Sequence, residues 1–190
     1  MKKSFLIISV LVFACAKELP ELPQIIDDIP LEPNPIQSVI DLSGTPCDNG
    51  MAGIYPCQGY DLLAKISLET FGSEAANDNW GWVDLESGKE YVLSGLDDGT
   101  AFIDISDPKN PIVLGKLPTA TTVSPWRDIK VYENHAFIVS EAPEHGLQVF
   151  DLTRLRLIDE FQIFTSDARL TDFGNAHNIW INQESGYAYV

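Results

Sequence analysis

Short apolar segments recur in this chain about every 47 residues, and a period of that length admits few folds. Phe102-Ile103-Asp104-Ile105 aligns on Val149-Phe150-Asp151-Leu152. A third copy starts at Asn178-Ile179-Trp180-Ile181, turns at Glu184-Ser185-Gly186 and re-enters an apolar run over 187–190. In the first copy, residues 90–96, 100–105 and 112–117 are rich in Val, Ile, Tyr and Phe. Asp97-Asp98-Gly99 joins the first two segments with residues that tolerate positive φ in a tight hairpin, and Asp107-Pro108-Lys109-Asn110-Pro111 turns the chain into the third. The second copy runs through 128–132, 136–141, 147–152 and 157–163, joined by Glu133-Asn134-His135 and Pro143-Glu144-His145-Gly146. No stretch carries an apolar 3.6 period long enough for a helix. The class is all-β. Four strands per repeat of this length predict a β-propeller of four-stranded blades, with an incomplete, N-terminal part of the ring spelled out here: about two and a half blades, against roughly four to eight in a closed ring.

The outer strands also match one another. Leu114-Gly115-Lys116-Leu117 aligns on Ile158-Asp159-Glu160-Phe161, and an upstream match lies at Leu63-Ala64-Lys65-Ile66. Propellers commonly close by lending an N-terminal strand to the last blade, so residues 62–68 are predicted to form an outer strand whose partners lie beyond Val190. On that reading the 190 residues expose unpaired strand edges, which favour aggregation.

The first residues set the address. Met1, Lys2 and Lys3 precede a ten-residue apolar or small run over 5–14, the layout of a secretory signal peptide over 1–14 and too short to span a bilayer. Val12-Phe13-Ala14-Cys15 resembles the lipobox of bacterial lipoproteins, which implies lipidation at Cys15, a membrane contact through the lipid, and a place in the cell envelope, in the outer membrane or at the cell surface. Residues 15–46 hold Pro20, Pro23, Pro30, Pro33, Pro35 and Pro46, a density that blocks helix and central strand and suits an extended tether. Residues 47–190 then carry the repeats. With Cys15 acylated, Cys47 and Cys57 remain as an even pair in an exported chain, which reads as a disulfide. Zinc is the competing use of the pair, and no further Cys or His stands at ligand spacing nearby. The formal charge of −16 argues against sequence-independent nucleic-acid binding, which needs Lys and Arg to displace counterions.

The run 100–115, Thr-Ala-Phe-Ile-Asp-Ile-Ser-Asp-Pro-Lys-Asn-Pro-Ile-Val-Leu-Gly, resembles the LVIVD repeat: an apolar strand, an aspartate, a Ser-Asp-Pro turn and a second strand. The wider order is similar to the choice-of-anchor B family in its paired cysteines, Asn77-Asp78-Asn79-Trp80-Gly81-Trp82, the stretch 124–132 from Ser-Pro-Trp-Arg-Asp onward, and Asn175-Ala176-His177-Asn178-Ile179. The resemblance covers about residues 45–190. It implies surface display on a β-propeller and no established reaction.

Propellers bind ligands where loops from successive blades converge at one end of the channel, so the residues entering each innermost strand are the candidates. They are Asp78, Trp80 and Trp82 in the first unit; Trp126, Arg127 and Asp128 in the second; Asn175, His177 and Asn178 in the third. Such a polar, aromatic ring suits a glycan, a protein or peptide ligand, or a divalent metal, for which Asp128 and His177 are the candidate ligands; the alternative role for all of them is to bond neighbouring blades and cap strand starts. Arg127 and Trp126 suit carboxylates or sugar rings. His135 and His145 stand in turns and are expected to be solvated, and Asp104 and Asp151 are expected to accept turn amides. No nucleophile elbow, His-Glu-x-x-His pair, phosphate-cradling glycine loop or EF-hand occurs. Two function classes follow: an envelope-anchored binding scaffold, and a metal-dependent propeller hydrolase with its site at the channel mouth.

Overall fold

The computed structural model describes residues 44–190, which fall within one compact unit spanning Ile40–Val190. The expected signal peptide, Cys15 and the expected tether up to residue 43 lie outside the described residues. In chain order the elements are β1 (Met51–Ala52), β2 (Tyr55–Pro56), α1 (Leu68–Phe71), β3 (Ala76–Val83), β4 (Glu90–Leu96), β5 (Gly99–Asp104), β6 (Ile112–Pro118), β7 (Arg127–Tyr132), β8 (His135–Ser140), β9 (Leu147–Asp151), a 3-10 helix (Leu152–Leu157), β10 (Gln162–Ile163), β11 (Ala168–Leu170), β12 (Trp180–Ile181) and β13 (Ala188–Tyr189). The fold is all-β. β3 to β6 form an antiparallel meander extended by β10, β7 to β9 form a second meander extended by β11, and β12–β13 form a third hairpin. None of the sheets closes on itself.

Period-two alternation decides the layers. Tyr91 and Leu93 of β4 and Phe102 of β5 face Ile129, Ile138 and Phe150 of the second sheet in the main core. The intervening Ile103, with Leu96 and Ala101, packs on the opposite face of the first sheet with Phe71 and Ile66. Val139 and Leu147 face away from the main core and meet Ile179 and Ile181 of the third unit. Successive units are thus stacked sheet on sheet, each burying one face against the next.

Local chemistry recurs with the stacking. Asp84 accepts from Glu86 N and Ser87 N at the end of β3, and Asn182 accepts from Glu184 N and Ser185 N at the end of β12; Gly88 and Gly186 both close their turns at φ 72°. The register agrees: Trp82 pairs with Tyr91 as Trp180 pairs with Tyr189. Asp104 accepts from Ser106 N and Asp151 from Thr153 N, each at 2.9 Å, as turn-capping aspartates.

Three expectations are corrected. Residues 157–163 are not the fourth strand of the second sheet: the 3-10 helix diverts the chain, β10 pairs in parallel with β6 of the first sheet, and β11 takes the edge beside β9. The apparent match with residues 114–117 arises because both segments carry the same apolar spacing. Residues 62–68 form no strand; Leu62 makes an isolated bridge to Thr45, Leu68 opens α1, and Ile66 packs on the outer face of the first sheet. The Asp97-Asp98 hairpin uses no positive φ, whereas the Glu133-Asn134 turn has φ 43° and 62°. Asp97 is held by bonds from outside its hairpin: its carboxylate accepts from Glu74 N and Ala75 N, and its carbonyl from Ser124 N. Cys47 and Cys57 form a disulfide, with Cα atoms 5.8 Å apart, enclosing the β1–β2 hairpin.

Candidate functional site

The first strand of each unit lies beside the first strand of the next without a backbone ladder, and side chains make the joins. A bulge in β3 between Ala76 and Asn79 lets two successive residues reach β7. Asn77 donates its amide to Arg127 O at 2.7 Å, and Asp78 accepts from Ile129 N at 2.9 Å. One unit on, Asp128 accepts from Ile179 N at 2.7 Å. The two aspartates perform the same task fifty-one residues from their partners. Lys130 sits between them, 2.5 Å from Asp128, 3.9 Å from Asp78 and 4.5 Å above the Trp80 ring.

The charges in this join are unequal. Burial raises the Asp78 pKa above the usual carboxylate value, and sharing a hydrogen bond with Asp128 raises it further. Burial pushes Asp128 the same way, but the Lys130 ammonium and the Ile179 amide outweigh it and hold Asp128 below the usual range. Asp128 is the ionised partner and Asp78 the one that first takes a proton.

Over this join opens a cleft of about 280 Å³ lined by Asn77, Asp78, Trp126, Arg127, Asp128, His177 and Asn178. Six of the nine candidate residues therefore meet at one place, drawn from three successive units. Trp126 is 49 % exposed, and its ring centroid lies 6.0 Å from that of His177 at a tilt of 55°. His177 Nδ1 lies 2.5 Å from Glu141 Oε1, so its Nδ1–H donates to the carboxylate, and Nε2 has no hydrogen-bond partner among the described residues.

The other candidates stand elsewhere. Trp82 is core: buried, stacked on Tyr91 at 4.9 Å, with Nε1 donating to Asn134. Trp80 and Lys130 line a separate hollow with Trp180. Asn175 donates to Glu141 O beneath His177 and positions that segment. Arg127 touches the cleft, yet it is only 1 % exposed, and its guanidinium is held by Leu96 O at 3.0 Å and His145 Nε2 at 3.0 Å. Its Nε and Nη1 are spent on these two acceptors. Burial pulls its pKa down to about 10 against the support of Asp98 and Asp97, and its Nη2 has no hydrogen-bond partner among the described residues.

His145 is a further correction, being fully buried rather than solvated. Its Nδ1 meets Gly146 O and its Nε2 lies between Arg127 and Gln148. Burial lowers its pKa, and the Arg127 charge lowers it further, so the ring stays neutral and accepts from the guanidinium. His135 is partly exposed, 2.8 Å from Glu133 O.

Asn77, Lys130 and Glu141 escaped the sequence reading. The signal for Asn77 and Lys130 was the recurrence of Asn77-Asp78-Asn79-Trp80, Arg127-Asp128-Ile129-Lys130 and His177-Asn178-Ile179-Trp180 at a fifty-residue offset. Glu141 had no such signal. Among the described residues, no group of three or more His, Cys, Asp or Glu side chains is arranged to hold a metal ion, and no helix is long and apolar enough to cross a membrane. Compared with known proteins, the chain matches no family model, no curated protein and no solved structure.

Proposed function

We propose that this chain belongs to an envelope lipoprotein, anchored through Cys15 and a proline-rich tether, whose repeats build a β-propeller of the choice-of-anchor B type and act as a binding scaffold. The observation that carries the reading is the convergence of three successive units on one cleft that presents two half-open rings, Trp126 and His177. The stacked meanders and the repeated Asp-to-amide joins support radial blades around an axis. The hydrolase reading is weaker, because Asp128 is already committed to Lys130 and Ile179 N and would have to leave both to ligate an ion.

Two measurements test the proposal. Intact mass of membrane-extracted protein is expected to show a lipid adduct on a chain beginning at Cys15, and an unmodified Cys15 would overturn the anchor. A screen of sugars, peptides and amines on the full-length protein, read by tryptophan fluorescence, is expected to yield a response that Trp126→Ala removes. No such response in any class would overturn the scaffold.

A further inference from the structure

Resting on the scaffold reading, we infer that the cleft at Trp126 takes an uncharged sugar ring, stacked on the indole and hydrogen-bonded by His177 and Asn178. The argument is by charge and by which groups remain unspent. The carboxylates at or beside the cleft are Asp78, Asp128 and Glu141; among the described residues the cations near them are Lys130, bonded to Asp128, and the buried Arg127, held by Leu96 and His145. An anion entering here meets more carboxylates than cations, and both cations are already engaged. A cation fares little better, because Asp128 is bonded to Lys130 and Ile179 N, Glu141 to His177, and Asp78 to Ile129 N with a pKa already raised.

What stays available has both hydrogen-bonding senses. His177 Nε2 has no hydrogen-bond partner among the described residues, and the Asn178 amide, which makes none to them either, both donates and accepts. Vicinal hydroxyls donate and accept in the same plane, and the C–H face of a sugar ring is apolar enough to cover the exposed indole. His177 is held at a tilt to Trp126 by Glu141, so the platform and its first polar neighbour are set before a ligand arrives.

The test is a titration of the full-length protein with four sets of probes: neutral gluco-, manno- and chito-oligosaccharides; uronic and sialic acids; tetramethylammonium and short diamines; and unstructured peptides. Tryptophan fluorescence and saturation-transfer NMR give the readouts. A neutral oligosaccharide is expected to bind, to weaken about tenfold or more in Trp126→Ala, and to weaken by a smaller factor in Asn178→Ala. The exposed Trp180, 58 % accessible and outside the cleft, supplies the control, and Trp180→Ala is expected to leave binding unchanged. Thermal melts confirm that each variant is folded. Binding of acids, amines or peptides that depends on Trp126, without neutral sugars, overturns the sugar assignment and leaves the scaffold standing. Sugar binding indifferent to Trp126→Ala overturns the site. Silence from all four sets overturns the scaffold itself.

Discussion

Asp128 makes two joins with one carboxylate: on β7 it neutralises Lys130, and it receives the amide of Ile179 from the next unit. Ile179 is buried, so truncating the acid orphans a buried N–H and leaves a partly buried ammonium with a weaker partner. Asp128→Ala is expected to cost about 1–3 kcal/mol in urea unfolding, and Asp128→Asn less, because an amide oxygen still accepts from Ile179 N. His145 supplies a pH signature. Its folded pKa lies below the ordinary 6.5, so the folded state resists the proton that the unfolded chain accepts. Stability from this residue is fully present above pH 6.5 and is lost as pH falls below that value. Unfolding free energies measured at successive pH values from about 7.5 down to about 5.5 are expected to decline in the wild type. His145→Gln is expected to flatten that decline.

At the scale of elements, the edge of the first sheet, where the chain returns from the second, depends on a residue that has no side chain. Gly115 of β6 pairs with Gln162 of β10, and a Cβ there would stand 2.2 Å from Gln162 O and 2.5 Å from the Phe164 ring. Backbone cannot retreat cheaply from such a clash. Gly115→Ala is expected to destabilise the protein by about 1–3 kcal/mol and to speed hydrogen exchange at Phe164 N, which bonds Lys116 O, before it affects β7–β8 amides. The same edge shows why periodicity misassigned residues 157–163. Apolar spacing reports that a segment is buried, but not which sheet edge accepts it. That choice was made by the 3-10 helix, capped by Asp151 through Thr153 N, which turns the chain back across the first sheet.

Over the whole molecule, the Cys47–Cys57 link closes a small hairpin apart from the three stacked units, and its effect is expected to stay local. Replacing both cysteines by serine is expected to remove up to about 3 kcal/mol of loop-closure stabilisation from that segment. Hydrogen exchange should then accelerate at Cys57 N, which bonds Gly50 O, while β4–β5 amides keep their protection. What the sequence determined by itself was whatever is decided within a few residues or by recurrence. Period-two alternation marked most of the strands and the all-β class, turn residues marked the aspartate caps, cysteine parity marked the disulfide, and the recurring strand entries marked six residues of the cleft. Tertiary structure alone decided where long side chains finish. Trp82 and Trp80 are two residues apart on one strand, yet one is core and the other open, because β8 and its turn cover only the first. Arg127 enters the strand at the cleft but spends its charge on Leu96 and His145 behind it. A guanidinium takes whichever acceptors the packed neighbours leave within reach. Those neighbours, Leu96 thirty-one residues before it and His145 eighteen after, become neighbours only when the sheets stack.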